Sequence, residues 1–482
     1  MKMRPLLVRV LVLIGLFSAE ASAEFASEVQ KLIQHSGLNS SAFGILIQSA
    51  ETGATPLFSL QPDKKLIPAS ITKVVTSAMV LEKMPPGTKI KTQLLSSGGV
   101  ENGVLKGSLY LKGGGDPSFV SENMWYLVNV FTRQKIREIQ GDIIVDDSLF
   151  DRERFDASRQ EERVDRAYDA PTGAMSFNWN SVNVFVRPGN KVGQPALVFA
   201  DPENEFIDLE ADVKTVSGSG HQVSIERKQH KESEEATKHD VIIVRGHIGV
   251  ESDEVVTYKN ITRPDLWAGA NLRSFLAQRG IAVKGHVRNG VTPNNADLRA
   301  ESESKGVEQI LADMNKFSNN FVAEMLAKGA AAKTAPPGTI AGAMKLASEH
   351  LVRLGNKADD FDLQNPSGLT RENQITAKTL WSVLKEFHQD FRFQAEFQTS
   401  LPIAGIDGTL KKRMKNSVAE RWVRAKTGFL TGVVSLAGYA GQPQGKVVPF
   451  VMMYNGGGDE AKVRALYDQI CELLVREIGG GT

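Results

Sequence analysis

One cysteine, Cys471, stands among 482 residues, so no disulfide can close within the chain. An excess of one charge sign is missing too: 57 Lys and Arg face 56 Asp and Glu, a net charge of +1. No global field therefore attracts nucleic acid or an anionic membrane, and no nucleic-acid partner is expected. The eight histidines form no His-Glu-x-x-His pattern, and one cysteine cannot complete a structural zinc site, so neither metal nor cofactor is expected. Gly113-Gly114-Gly115-Asp116 lacks the Lys-Ser/Thr that a phosphate loop needs and reads as a turn. Trp179 and Trp267 could serve as carbohydrate platforms but read more readily as half-buried packing groups. With 41% hydrophobic and 23% charged residues, the composition is that of a globular protein, which excludes disorder and fibrous repeats.

The length allows two to four compact units of roughly 100–200 residues each. At the start, Lys2, Arg4 and Arg9 precede an uncharged run from Val10 to Phe17, and Ala21-Ser22-Ala23 offers small residues for cleavage. The run is shorter than the roughly 20 residues of a membrane span, so it reads as an export signal removed after Ala23, with no stable transmembrane anchor. Beyond it, Phe43 to Gln48 and Thr55 to Leu60 predict a hairpin around Glu51-Thr52-Gly53. Pro68-Ala69-Ser70 opens a helix with apolar positions at Ile71, Val74, Val75, Ala78 and Met79, stopped by Pro85-Pro86-Gly87. From about 91 to 300 the pattern turns mostly to strands, among them Asp142 to Val145, Val182 to Val186 and Val241 to Val244. The charged stretch Ser224 to Asp240 mixes both signs and reads as a solvated loop. Helical periodicity resumes at Gly306. Two strands, Val433 to Tyr439 and Val447 to Tyr454, then precede a helix from Asp459 to Ile478. Cys471 lies beside that helix's apolar face and is expected to be buried and inert.

Chemistry is sought first in Ser-x-x-Lys, because three residues along a helix bring an amine beside a hydroxyl that it can deprotonate. The spacing is common, with about two matches expected by chance. Three occur: Ser70/Lys73, Ser302/Lys305 and Ser382/Lys385. The last two lie in charged or amphipathic surroundings and read as surface residues. Ser70 stands at the start of an apolar helix, where free N–H groups can stabilise an oxyanion, although a plain N-cap serine would look the same. Lys426-Thr427-Gly428 occurs once and leads into a strand whose glycine lets a ligand backbone approach. There Lys426 and Thr427 could hold a carboxylate. Ser318-Asn319-Asn320 lies between two helical stretches, and Ser318 and Asn320 can share a cleft only if the chain turns there.

The ordered set Ser70-Ile71-Thr72-Lys73, Ser318-Asn319-Asn320 and Lys426-Thr427-Gly428 resembles the three motifs of penicillin-recognising serine enzymes. The long stretch between the first two resembles that of the class C low-molecular-mass penicillin-binding proteins, the D-alanyl-D-alanine carboxypeptidases and endopeptidases. Gly114-Gly115-Asp116-Pro117, Ala170-Pro171-Thr172-Gly173-Ala174, Ser367-Gly368-Leu369 and the run Pro402 to Thr409 are similar to stretches of the same family. Asn365-Pro366 departs from its more usual Asp-Gly. The resemblance implies an α/β transpeptidase-like domain with a helix-covered antiparallel sheet from 24–90 and 301–482. Between them lies a mostly β insertion from 91–300, in which 178–255 can be read as nested between 91–177 and 256–300. It also implies a periplasmic enzyme that cuts peptidoglycan stem peptides and is acylated by β-lactams. In it Ser70 is the nucleophile, Lys73 the base, and Ser318 and Asn320 relay the proton and hold the peptide. Lys426 and Thr427 bind the carboxylate, beside Gly428, and the N–H groups of Ser70 and Phe429 form the oxyanion hole. A β-lactamase, or a non-catalytic wall-binding protein of the same fold, are the alternatives.

Overall fold

The computed structural model describes residues 23–157, 165–229, 240–443 and 446–479. The expected export segment therefore lies, apart from Ala23, outside the described residues. Two compact units divide the chain: Met1–Pro86, Val307–Asn319 and Ala343–Thr482 form the first, Gly87–Gly306 and Asn320–Gly342 the second.

The first unit is built on a five-stranded antiparallel sheet, in the order Pro56–Leu60, Phe43–Gln48, Val447–Tyr454, Val433–Gly441, Val423–Leu430. Period-two alternation assigns its faces. From Val433–Gly441, Val434, Leu436 and Ala440 enter one core with Phe43, Ile45, Phe450 and Met452. Two helices cover that face. Residues 23–35 contribute Phe25, Val29 and Ile33, and Glu460–Ile478 contributes Val463, Leu466, Tyr467, Ile470 and Leu474. The second helix starts where expected because the Asp459 carboxylate caps it, accepting from the N–H groups of Ala461 and Lys462. Cys471 is buried in the same core, and burial holds its thiol far above the ordinary range, so it is inert. The helix at 23–35 was not anticipated.

The alternate residues of Val433–Gly441 serve the other face. Tyr439 donates its hydroxyl to the Leu384 carbonyl (2.7 Å) on helix Ala377–Gln389, and Ser435 donates to the Pro68 carbonyl (2.6 Å). Helix Thr72–Lys83, preceded by the 3₁₀ turn Ala69–Ile71, is buried along most of its length.

The second unit is rich in strands. A five-stranded mixed sheet runs Val287–Asn289, Ile143–Asp146, Leu109–Lys112, Lys91–Ser96, Asp297–Glu303. Helices Ser121–Thr132 and Pro264–Gln278 share a core with it that includes Phe119, Phe177 and Trp267. Two three-stranded sheets add Val182, Val184, Val186, Ile242 and Val244 to that core.

Two readings need correction. His221–Gln229 is a strand, not part of a loop, because Val223 and Ile225 alternate inward while Ser224, Glu226 and Lys228 face out; it pairs along Asp240–Gly249. The rest of that charged stretch, 230–239, lies outside the described residues. Ser302 is buried rather than superficial, since it sits on the inward face of strand Asp297–Glu303, opposite Thr92. Ser382 is half-buried, and its hydroxyl donates to the Thr379 carbonyl (2.7 Å).

Candidate active site

Ser70 sits in the 3₁₀ turn Ala69–Ile71, and the helix that follows carries Lys73 one turn on. Lys73 Nζ donates to Ser70 Oγ at 3.2 Å and to the Ser367 carbonyl at 2.6 Å, and the lysine is completely buried. The residue before the serine is in an unusual conformation: Ala69 has φ +50°, in the left-handed region that an alanine occupies at a cost of about 1–2 kcal/mol. Such strain persists only where neighbours enforce it. Here the Ala69 carbonyl accepts from Thr72 Oγ1 at 2.9 Å, and the backbone of Gly368 lies against it.

The strand Val423–Leu430 forms the sheet edge beside this turn. Lys426 pairs across to Ala437 and Gly428 to Ser435, so both point to the face from which Ser435 reaches Pro68. A Cβ on Gly428 would lie 2.0 Å from Ser435 Oγ, 2.7 Å from the Pro68 carbonyl and 3.2 Å from the Ser70 nitrogen. Only glycine lets the strand come this close to the turn. Lys426 is wholly buried, and Nζ donates to Ser318 Oγ and to the Thr427 carbonyl, both at 2.8 Å. Burial, and then the nearby charge of Lys73, hold the Lys426 amine well below its ordinary pKa.

Ser318 follows the helix Val307–Lys316. The Asn319 N–H bonds the Met314 carbonyl at 3.0 Å while Ser318 has φ +55°, the geometry of a Schellman stop with serine in the place that glycine usually takes. The chain turns there as the motif requires. Asn320, two residues on, begins helix Asn320–Thr334.

The structure therefore brings Ser70 to Lys73, Lys426 to Ser318 and Gly428 to the backbone of Ser70. The Thr427 hydroxyl, next along the strand, donates to Thr409 Oγ1 at 2.8 Å. The Phe429 ring is half exposed, with the Arg464 guanidinium over it at 4.6 Å. Four contributors were not anticipated: Ser367, Asn365, Ser435 and Thr409. Ser367 and Thr409 lie in stretches whose similarity to the family was already legible. Ser435 could have been found from the even spacing that puts it opposite Gly428.

The profile of the D-Ala-D-Ala carboxypeptidase 3 (S13) family matches residues 25–477. The chain is 29% identical, over 95% of its own length and 85% of the relative's, to a D-alanyl-D-alanine carboxypeptidase of Actinomadura sp. strain R39. The crystal structure of penicillin binding protein 4 from Haemophilus influenzae superposes with a TM-score of 0.78 at 23% identity, covering 93% of this chain and 99% of the other. The same Haemophilus protein complexed with a β-lactam gives a TM-score of 0.72 at 24% identity, with the same coverage.

Proposed function

The chain belongs to the D-Ala-D-Ala carboxypeptidase S13 family, and from that premise we propose that Ser70 is its acyl-forming nucleophile and Lys73 the base that activates it. It is a serine-type D-alanyl-D-alanine peptidase, working through an acyl-serine intermediate and sensitive to penicillin. The observation that carries the residue assignment is the buried Lys73 amine 3.2 Å from Ser70 Oγ.

In the first step Ser70 Oγ attacks the carbonyl carbon between two D-alanines while Lys73 Nζ takes its proton. The carbonyl electrons move onto oxygen, where the N–H groups of Ser70 and Phe429 receive them, each worth about 3 kcal/mol. The C–N bond then breaks. The departing amine takes a proton passed through Ser318, which Lys426 holds at 2.8 Å, and the terminal D-Ala leaves. Water hydrolyses the ester and restores Ser70. Asn320 holds the peptide, and Lys426 and Thr427 bind the terminal carboxylate, with Gly428 keeping the strand near enough for that contact. A β-lactam follows the first step through its strained amide and remains as an ester on Ser70.

The substrates are peptidoglycan stem peptides, met in the periplasm after export through the segment ending at Ala23. No helix among the described residues is long and apolar enough to cross a membrane. The test is incubation of the purified protein with pentapeptide and cross-linked dimeric muropeptides, followed by chromatography and mass spectrometry. Loss of terminal D-Ala, scission of the dimers, or both, abolished in Ser70→Ala, is the expected result. Turnover that survives Ser70→Ala would contradict the assignment.

A further inference from the structure

The segment Asn365-Pro366-Ser367-Gly368 belongs to none of the three motifs, yet it touches Lys73 and the backbone of Ala69, the residue before Ser70. The Ser367 carbonyl accepts from Lys73 Nζ at 2.6 Å, and the Pro366 carbonyl accepts from Thr76 Oγ1, one turn further along the same helix, at 2.6 Å. Gly368, at φ +74°, lies so close to Ala69 that a Cβ would stand 2.0 Å from its carbonyl oxygen. What shapes this segment is one buried atom. Asn365 Oδ1 accepts from Ser367 N (2.7 Å), Ser367 Oγ (2.6 Å) and Gly368 N (2.9 Å). Asn373 secures the asparagine's backbone, accepting from its N–H at 3.0 Å and donating to its carbonyl at 2.7 Å. Asn365, Ser367 and Asn373 are fully buried.

We propose that Asn365 is a positioning residue for acylation: its carboxamide oxygen fixes the Ser367 carbonyl against Lys73 Nζ and thereby sets the amine on Ser70 Oγ. The inference rests on the roles of Ser70 and Lys73 given above. A lysine side chain has four rotatable bonds, so an amine that must meet a hydroxyl gains from an anchor on rigid backbone. A carbonyl provides that anchor in either protonation state, because both the ammonium and the neutral amine have an N–H to give. Asparagine makes the hub without adding charge. A carboxylate in its place could accept the same three bonds but would favour the ammonium form of Lys73, opposing the influence of the nearby Lys426.

The test compares the full chain as wild type, Asn365→Ala and Asn365→Asp. Second-order acylation by a fluorescent penicillin is followed from pH 5 to 10, with thermal unfolding recorded alongside. Asn365→Ala is expected to acylate about 10–100-fold more slowly while still folded. Asn365→Asp is expected to recover most of the rate at high pH, with the acidic limb moved up by about one pH unit. A residue that only supports the fold would lower the unfolding temperature and leave that limb in place. Folded Asn365→Ala with the wild-type rate, or Asn365→Asp with an unmoved limb, would overturn the proposal. Should Asn365→Ala not fold, the limb of Asn365→Asp decides. Wild-type protein that fails to acylate would instead overturn the reading of Ser70 and Lys73 on which this rests.

Discussion

In the second unit Asp147 and Asp265 are buried beside Arg154 and Arg263; in the first, Lys73 and Lys426 are buried close enough for each charge to weigh on the other. The carboxylates are matched. Arg263 donates twice to Asp265, at 3.0 and 2.7 Å, and Arg154 pairs with Asp147 while reaching Asp265 at 3.7 Å. Burial pushes both carboxyls up. For Asp265 the Arg263 bonds and the two guanidinium charges outweigh it and leave the pKa lowered, whereas for Asp147 burial prevails over Arg154 and raises it to about 6. The two lysines are of like charge, and Lys426 is held well below its ordinary value. Opposite charges brought together in one interior offset the cost of burying each other; like charges brought together push an amine away from its charged form, at a cost in stability.

The sharpest way to break this contrast is to remove one member of each group. Lys73→Met removes the base and is expected to slow penicillin acylation by about 10²–10⁴-fold, measured as a second-order rate, without lowering the unfolding temperature. Arg154→Leu leaves Asp147 and Asp265 without a shared cation and is expected to cost about 3–5 kcal/mol in denaturant unfolding. Lys426→Met removes a buried amine whose charge is disfavoured by burial and by Lys73. It is expected to slow acylation yet raise the unfolding temperature by a few degrees, reflecting about 1 kcal/mol. A fall instead would mean that the Ser318 bond outweighs the burial of the amine.

A smaller effect comes from His350, buried between Glu82 at 3.0 Å and Glu386 at 2.8 Å. Burial lowers its pKa, but the bonds and charges of Glu386 and Glu82 outweigh this and leave it raised. Its contribution is therefore full below the unfolded value of 6.5 and lost as pH rises through the higher folded value. Glu82, lowered to about 2 with His350 and its basic neighbours overcoming burial, contributes above 4.5 and loses that contribution as pH falls toward 2. The stability gap between wild type and His350→Gln should be about 1–2 kcal/mol near pH 5–6 and shrink above pH 7. A gap that is flat with pH would show that the imidazole is held for its shape.

The two kinds of site were unequally legible in the sequence. Ser70 and Lys73 could be paired because a helix fixes which residues are neighbours, and of three Ser-x-x-Lys matches only this one opens an apolar helix. Two strands of the first unit's sheet followed from the apolar runs Val433 to Tyr439 and Val447 to Tyr454, and its terminal helix from the apolar spacing after Asp459. The Asp147–Arg154–Asp265 group could not be read, since its members come from separate segments and ionic pairing has no period. The strand His221–Gln229 was hidden because net composition, dominated by Arg227, Lys228 and their neighbours, masked the alternation of Val223 and Ile225. Ala69 and Ser318 carry no sequence mark of their left-handed backbones, which are imposed by packing against Gly368 and by the helix stop. Asn365 was visible only as a departure from the usual pair at that place, because its hub of three hydrogen bonds is made by the turn of the folded chain and leaves no pattern in the sequence.

The most direct test of the central claim is peptide mapping by mass spectrometry of the protein after brief exposure to a labelled penicillin, with Ser70→Ala in parallel. A single adduct on the peptide containing Ser70, stable for the length of the experiment and absent from the variant, is the predicted result. Labelling elsewhere, or equal labelling of the variant, would contradict the account.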